Sequence, residues 1–240
     1  MASVTSALAV VAHPDDESFG LGGLLSLLTD RSVPVSVLCF THGEASTLRD
    51  RPGDLAVLRA TELRQAATAL GVGGVELLDY PDGALATIDL DHLVGHVVAR
   101  IIRWRPSHLV VFDLDGVTGH TDHIRATEAT LAAARHTELP VLAWTVPQRV
   151  AARLNTEFAT GFVGRAEGDI DETVSVSRAR QWRAIARHRS QSADNPVLRR
   201  RLELLGDTEH LSLLHDPAGF SIPSPQRRHS GCTTGGHDPG

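Results

Sequence analysis

The chain has 240 residues, of which 42% are hydrophobic and 22% are charged, and its formal net charge is −6. These values are typical of a globular protein with a sizeable core, and they exclude a disordered or fibrous chain. The negative charge also argues against a nucleic-acid-binding protein, because such proteins concentrate positive charge against the phosphate backbone.

Cysteine content and chain organisation limit the setting further. The only cysteines are Cys39 and Cys232, so no disulfide framework is predicted. The apolar run of residues 7–12 is too short for a signal peptide or a membrane span. We therefore expect a cytoplasmic protein with a single α/β domain over residues 1–216. A flexible tail is expected over residues 217–240, which are rich in Pro, Gly, Ser and His.

Short β-branched runs alternate with longer segments of helical period. The predicted strands are residues 8–11, 35–40, 75–78, 109–112 and 141–144, and the predicted helices are residues 21–30, 56–70, 90–104 and 123–135. This alternation indicates βαβ units, hence an α/β, Rossmann-like, mostly parallel sheet flanked by helices. Over residues 146–176 the alternation fails, which predicts an irregular C-terminal extension of strands and loops. Helical spacing returns at residues 176–189.

Polar clusters directly follow three of the predicted strands. They are residues 13–17 (His-Pro-Asp-Asp-Glu), residues 41–44 (Thr-His-Gly-Glu) and residues 113–123, which end in Gly-His-Thr-Asp-His. In doubly wound sheets, ligands bind beyond the carboxyl ends of the strands. We therefore expect these clusters to converge on one cleft.

The first and third clusters supply candidate metal ligands. His13 and Asp16 lie on one strand-to-helix turn, and His123 follows the fourth strand. Two imidazole nitrogens and a carboxylate oxygen suit a catalytic zinc site, which uses three protein ligands and leaves one position open. Any one of the 13 histidines is more often a polar residue without a metal, but two clusters at two strand ends favour a shared ion. We predict one zinc ion per chain.

Three neighbouring residues are candidate catalytic groups. Asp15 either caps the next helix or accepts a proton from a metal-activated water. His120 is near enough to His123 to donate a hydrogen bond to an oxyanion or to protonate a leaving amine. Asp122 either orients His120 through its other ring nitrogen or caps the helix that follows.

Together these residues resemble the zinc-dependent N-acetylglucosaminyl deacetylases, the family that includes the LmbE-like proteins and the PIG-L deacetylase. Its signatures are similar to residues 12–17 (Ala-His-Pro-Asp-Asp-Glu) and 120–123 (His-Thr-Asp-His). The resemblance implies the following roles: metal ligand for His13, Asp16 and His123, general base for Asp15, and polarising or acid group for His120. The implied reaction is removal of an N-acetyl or other N-acyl group from an N-acyl glucosamine-type small molecule by metal-activated water.

The resemblance extends over about residues 7–195. Residues 41–44 are similar to the family's Thr-x-Gly-Glu, residues 59–62 to its Arg-x-x-Glu, and residues 188–191 to its His-x-Ser-Gln. It implies that Glu44 and Arg59 bind substrate, although a salt bridge from Arg59 to Glu62 or Glu44 fits equally well.

Two departures from the family pattern concern the substrate contacts. Thr121 stands where the family usually has Pro, and His42 stands where it often has Arg. Neither position is a proposed metal ligand, so the departures concern only the neighbouring substrate contacts.

Two other functions are compatible with this sequence. One is an amidase acting on a thiol conjugate or a larger N-acyl glycoside. The other is a non-catalytic sugar- or nucleotide-binding module, suggested by the glycines of residues 20–23. That run lies inside the first predicted helical segment rather than between strand and helix, as a dinucleotide-binding loop requires, which disfavours the module. The sequence leaves a homo-oligomer open.

Overall fold

The computed structural model of the protein describes residues 4–47 and 55–217. The strands within these ranges are β1 (Ala7–Val11), β2 (Val35–Thr41), β3 (Gly74–Tyr80), β4 (His108–Phe112), β5 (Val141–Thr145), β6 (Glu172–Ser175) and β7 (Thr208–His215). The helices are α1 (Asp16–Phe19), α2 (Gly22–Asp30), α3 (Leu55–Leu70), α4 (Leu90–Trp104), α5 (Thr121–Thr137), α6 (Gln148–Phe158), α7 (Ala179–Ile185), α8 (Arg189–Ser192) and α9 (Pro196–Leu205).

All seven strands belong to one sheet in the order β3-β2-β1-β4-β5-β7-β6. The first five in the chain are mutually parallel, whereas β7 pairs antiparallel with both β5 and β6. The predicted α/β class with a mostly parallel sheet is confirmed. Among the described residues, no helix is both long enough and apolar enough to cross a membrane.

Two apolar clusters cover the opposite faces of this sheet. Along β1, Ala9 and Val11 enter the cluster that contains side chains of α2 and α3, while Leu8 and Val10 enter the cluster beneath α4 and α5. Every residue of β1 is buried. A strand covered on both faces needs apolar side chains at successive positions, which explains its continuous hydrophobic run.

The region after β5 differs from the expectation of irregular strands and loops. It contains the 11-residue helix α6, whose buried residues Val150, Ala151 and Leu154 form an apolar stripe. The short strand β6 joins the main sheet through β7 instead of forming a separate extension. The first predicted helix corresponds to α2, the short helix α1 before it was not predicted, and α5 begins two residues before its predicted start. The predicted tail, apart from residue 217, lies outside the described residues.

The glycines of residues 20–23 pack closely against buried side chains. A Cβ atom at Gly22 would lie 2.8 Å from Cγ of Gln181, and one at Gly23 would lie 2.3 Å from Oε1 of Glu209. Real Cβ atoms do not approach neighbours this closely. Close packing therefore accounts for these two glycines without a bound phosphate.

Gly23→Ala is expected to lower the free energy of unfolding by about 1–3 kcal/mol, measured by urea denaturation. The added methyl group would collide with Glu209, which cannot move freely because Arg178 and Trp144 bond its two oxygens at 2.6 and 2.7 Å. Gly95→Ala is the matched control, because a Cβ there meets nothing within 4 Å. It lies inside α4, so alanine should stabilise the protein by about 0.5–1 kcal/mol. Equal effects of the two substitutions would contradict the packing explanation.

Candidate metal and catalytic site

The candidate site lies where the strand order changes direction, between β1 and β4. The chain runs outward from β1 through β2 to β3 and then returns to place β4 on the other side of β1. In open α/β sheets this switch point forms a crevice at the carboxyl ends of the strands. The turn after β1 carries His13, and the loop after β4 leads into His123 at the start of α5.

The three predicted metal ligands converge at this crevice. His13 Nδ1 lies 3.2 Å from His123 Nε2 and 3.6 Å from Asp16 Oδ2, and His123 Nε2 lies 3.2 Å from Asp16 Oδ1. Donors bound at about 2.0–2.2 Å to a tetrahedral zinc ion are about 3.3–3.6 Å apart, so the set fits that ion. All three residues are buried.

The remaining atoms of these side chains are held by neighbours. His123 Nδ1 lies 3.1 Å from the carbonyl oxygen of Gly116, and a donor there leaves the lone pair of Nε2 directed at the cluster. Gly116 has φ +68°, and a Cβ atom there would lie 2.9 Å from Cβ of His123, so glycine is required for this close approach. Asp16 Oδ2 accepts from the backbone N–H of His13 at 2.9 Å.

Asp16 is suited to act as the anionic ligand. Although burial opposes ionisation, His123 beside it holds the pKa of the Asp16 carboxyl well below its usual range. A ligand that is already deprotonated does not have to lose a proton before it binds a cation.

Asp15 occupies the capping position of α1 but does not act as a cap. Its side chain makes no capping hydrogen bond, and Oδ2 lies 3.0 Å from Nη2 of Arg59. Its backbone has φ 130° and ψ −26°, which is a strained conformation for a residue other than glycine. Burial raises the pKa of the Asp15 carboxyl to about 6, against the opposing effect of Arg59. These features fit a proton acceptor better than a helix cap.

Arg59 has partners other than the two suggested by the sequence. Besides Asp15, its guanidinium donates to the carbonyl oxygens of Pro14 and Gly43. The alternative salt bridge to Glu62 or Glu44 does not form, because Glu62 instead accepts from Ser190 and Glu44 from the backbone N–H of Asp82. Arg59 is 3% exposed. Through its bonds to Pro14 and Asp15 on one side and to Gly43 on the other, it connects the polar cluster after β1 to the polar cluster after β2.

His120 lies at the rim of the metal cluster. Its ring centroid is 4.8 Å from that of His13 and 5.0 Å from that of His123. The residue caps α5, since His120 Nδ1 accepts from the backbone N–H of Asp122 at 3.2 Å. In a neutral ring this leaves Nε2 as the donor, and burial together with the two other histidines lowers the pKa of His120. His120 therefore presents an N–H group near the cluster.

Asp122 has neither of the two roles that the sequence suggested. His120 takes the capping position, and the Asp122 carboxylate accepts from the backbone N–H groups of Gly83 at 2.8 Å and Leu85 at 3.1 Å. Its Oδ2 also lies 3.4 Å from Nε2 of His13. Asp122 thus faces the outer nitrogen of a candidate ligand rather than the ring of His120.

Sequence reasoning missed Asp82, which lies in the loop after β3. Its Oδ1 is 3.0 Å from His13 Nε2, and its Oδ2 accepts from the backbone N–H of Ala45 at 2.9 Å. Glu44, a predicted substrate ligand, accepts from the backbone N–H of Asp82 at 3.0 Å while remaining exposed. Polar residues that directly follow a predicted strand were the signal for the other clusters, and Asp82 follows β3 in the same way, so this signal could have identified it.

Asp113 also lies at the carboxyl end of β4, but it is engaged elsewhere. Both of its oxygens bond the guanidinium of Arg165, at 2.5 and 2.6 Å. The backbone carbonyl of Asp113 accepts from the N–H of Gly116 at 2.8 Å. Arg165 therefore links the segment after α6 to the loop that supports His123.

Comparison with solved structures supports the fold. The A40926 pseudoaglycone deacetylase Dbv21 has a TM-score of 0.67 at 20% identity, over 87% of this chain and 96% of that one. The 4-carboxy-2-hydroxymuconate hydratase GalB of Pseudomonas putida has a TM-score of 0.69 at 18% identity, over 91% and 100%. Because a deacetylase and a hydratase share the fold, the fold alone does not decide the reaction.

Comparison of sequences is more specific. The chain is 30% identical over 191 residues to the probable N-acetyl-alpha-D-glucosaminyl L-malate deacetylase 2 of Bacillus cereus, covering 77% of this chain and 83% of that protein. It is 35% identical over 187 residues to the 1D-myo-inositol 2-acetamido-2-deoxy-alpha-D-glucopyranoside deacetylase of Nocardia farcinica, covering 65% of this chain and 63% of that one. Residues 8–134 match the model of PIG-L, GlcNAc-PI de-N-acetylase. The chain belongs to the PIG-L family of de-N-acetylases.

Proposed function

We propose that the protein is a zinc-dependent hydrolase that removes the N-acetyl group from an N-acyl glucosamine-type small molecule. The observation that carries the proposal is the convergence of His13 Nδ1, His123 Nε2 and the Asp16 carboxylate at the carboxyl ends of β1 and β4. Two nitrogens and one oxygen are the ligand set of a catalytic zinc site with an open position.

His13, Asp16 and His123 would hold the zinc ion, which when bound would supply Lewis acidity and lower the pKa of a bound water to about 7. Asp15 accepts the proton of the attacking water, for which its raised pKa and partly buried position suit it. Asp122 and Asp82 face His13 Nε2, and a donor at that nitrogen leaves Nδ1 unprotonated toward the ion.

The attack on the acetamide carbonyl carbon forms a C–O bond and moves the carbonyl π electrons onto oxygen. The N–H group of His120 donates a hydrogen bond to the resulting oxyanion. The oxyanion then re-forms the C=O bond as the C–N bond breaks, the nitrogen takes up the proton that Asp15 accepted, and acetate and the free amino sugar leave. Glu44 and Arg59 are proposed to lie near the sugar, with Arg59 acting through the loop of Gly43 that it holds.

The relatives support an amino sugar as substrate. Those named above are deacetylases of an N-acetylglucosaminyl malate and of an acetamidodeoxyglucopyranosyl inositol. An amidase for a thiol conjugate or a larger N-acyl glycoside would use the same catalytic groups and differ in the pocket beyond them. We further propose a cytoplasmic location, a single domain over residues 1–216 and a homo-oligomer, as predicted from the sequence.

An assay for released amine tests this proposal. The substrates are N-acetylglucosamine, its malate and inositol glycosides, their longer-chain N-acyl analogues and a thiol-conjugate amide, each with and without chelator. We expect amine release from at least one N-acetyl glycoside, loss of activity with chelator and recovery with added zinc. Chelator-insensitive release would exclude the metal mechanism. Release from the thiol conjugate or the longer acyl chains alone would favour the amidase.

A further inference from the structure

Two fully buried ionisable residues next to the candidate base have no part in the reaction described so far. Glu17 and His188 are both 0% exposed. His188 Nε2 lies 2.6 Å from Glu17 Oε1, and the hydroxyl of Ser18 donates to the same oxygen at 2.5 Å. Burying an acid and a base together is costly unless both are well bonded, so a pair held only for stability is readily replaced by apolar residues.

The second oxygen of Glu17 is directed at the candidate base. Glu17 Oε2 accepts from the backbone N–H of Asp15 at 2.9 Å. That N–H belongs to the residue with φ 130°, a conformation that persists only where surrounding contacts determine it. Glu17 thus connects the strained backbone of Asp15 to the buried side chain of His188.

The segment that carries His188 is bonded to α3. It precedes α8, where both the backbone N–H and the hydroxyl of Ser190 donate to Glu62, at 2.9 and 2.6 Å. Glu62 lies on α3, the helix that also carries Arg59 and its contact with the Asp15 carboxylate. Two routes therefore connect Asp15 to α3. Its carboxylate contacts Arg59 directly, and its backbone is connected through Glu17 and the segment of His188.

We propose that Glu17 and His188 are positioning residues that hold the strained backbone of Asp15 and thereby aim its carboxylate at the attacking water. This inference rests on the proposed function, in which Asp15 is the general base. The bond between His188 and Glu17 spans 171 residues of sequence, so the C-terminal part of the described chain helps to set the geometry of the N-terminal motif.

The test compares two replacements of His188. Leucine removes the Nε2 donor and fills the space of the ring with an apolar side chain. Glutamine instead offers an amide N–H group at a similar distance from the backbone, so it can still donate to Glu17. We expect His188→Leu to lower kcat by about 10–100-fold, with KM and zinc content nearly unchanged, and His188→Gln to recover most of the loss. His108→Leu is the control, because this half-buried histidine lies at the amino end of β4, the opposite edge of the sheet.

A double-mutant cycle separates positioning from general stability. If His188 acts through Asp15, His188→Leu should change kcat by less than about twofold when Asp15 is already asparagine. The same fold-loss in both backgrounds would overturn the inference, as would a His188→Leu protein that melts at a lower temperature but keeps native kcat. Should His188→Leu not fold, Glu17→Gln in the same cycle tests the same contact, with the same two outcomes. Native turnover in Asp15→Asn alone would instead reject the base assignment on which the inference rests.

Discussion

Asp16→Ala is expected to empty the metal site and to lower turnover by about 10³-fold or more, which corresponds to several kcal/mol of transition-state stabilisation. Asp16 is the only carboxylate among the three converging donors, and its ionised form is favoured by His123. The fold should persist, because two apolar clusters on the faces of the sheet supply the core. Zinc per chain by elemental analysis and amine release are the two measurements.

Asp30→Ala is the control for this substitution, because Asp30, the last residue of α2, forms an exposed ion pair with Arg180 of α7. This substitution should leave both measurements unchanged. Native zinc content together with native turnover in Asp16→Ala would exclude the proposed ligand set. Retained zinc with low turnover would point to His120 as the third ligand, because nitrogens of His13, His120 and His123 also lie within 4.8 Å of one another.

The parallel part of the sheet was predictable because its strands carry a strong local signal. Burial on both faces requires consecutive apolar residues, and β1, β2 and β4 have them. Helix α6 was not predicted although Val150, Ala151 and Leu154 have helical spacing, because the segment as a whole lacks the regular succession of strand-like and helical runs seen earlier in the chain. Strand β7 was missed because its antiparallel pairing depends on the distant strands β5 and β6.

The location of the site was predictable for a topological reason. Residues that end parallel strands meet at one edge of a sheet, so His13 and His123 could be brought together although 110 positions separate them. The roles of single side chains were less accessible. Arg59 could bond several acidic residues within reach of α3, and only the packed turn selects Asp15 rather than Glu44 or Glu62.

Contacts between distant polar residues were beyond the sequence for a further reason. Asp122 was placed beside His120 because the two are neighbours in sequence, but a helix turns its carboxylate toward the loop after β3 instead. The pair of Glu17 and His188 depends on how α8 packs against α3 and α1. No spacing rule gives that packing, because it is set by the whole core.

The role of Asp15 gives the second large expected effect. Asp15→Asn should lower turnover by about 10²–10⁴-fold while zinc and substrate still bind, because asparagine has the same size but does not take up the proton. The backbone should tolerate the change as it tolerates aspartate, since asparagine has the same size and branching and adds no steric conflict at φ 130°. Its amide oxygen can still accept from Arg59, which lies 3.0 Å from the carboxylate. Turnover, zinc content and the binding of a slowly hydrolysed substrate analogue are measured on the same preparation.

The alternative roles of Asp15 give different results in this experiment. A helix cap would be almost unaffected, because asparagine caps as well as aspartate, but the Asp15 side chain makes no capping bond. A metal ligand would lose zinc together with activity. Full zinc, normal analogue binding and low turnover therefore identify the general base. Full zinc with native turnover would mean that the raised pKa of Asp15 is a consequence of burial alone. Another group near the metal cluster would then accept the proton, and the exposed His120 would be the next candidate to test.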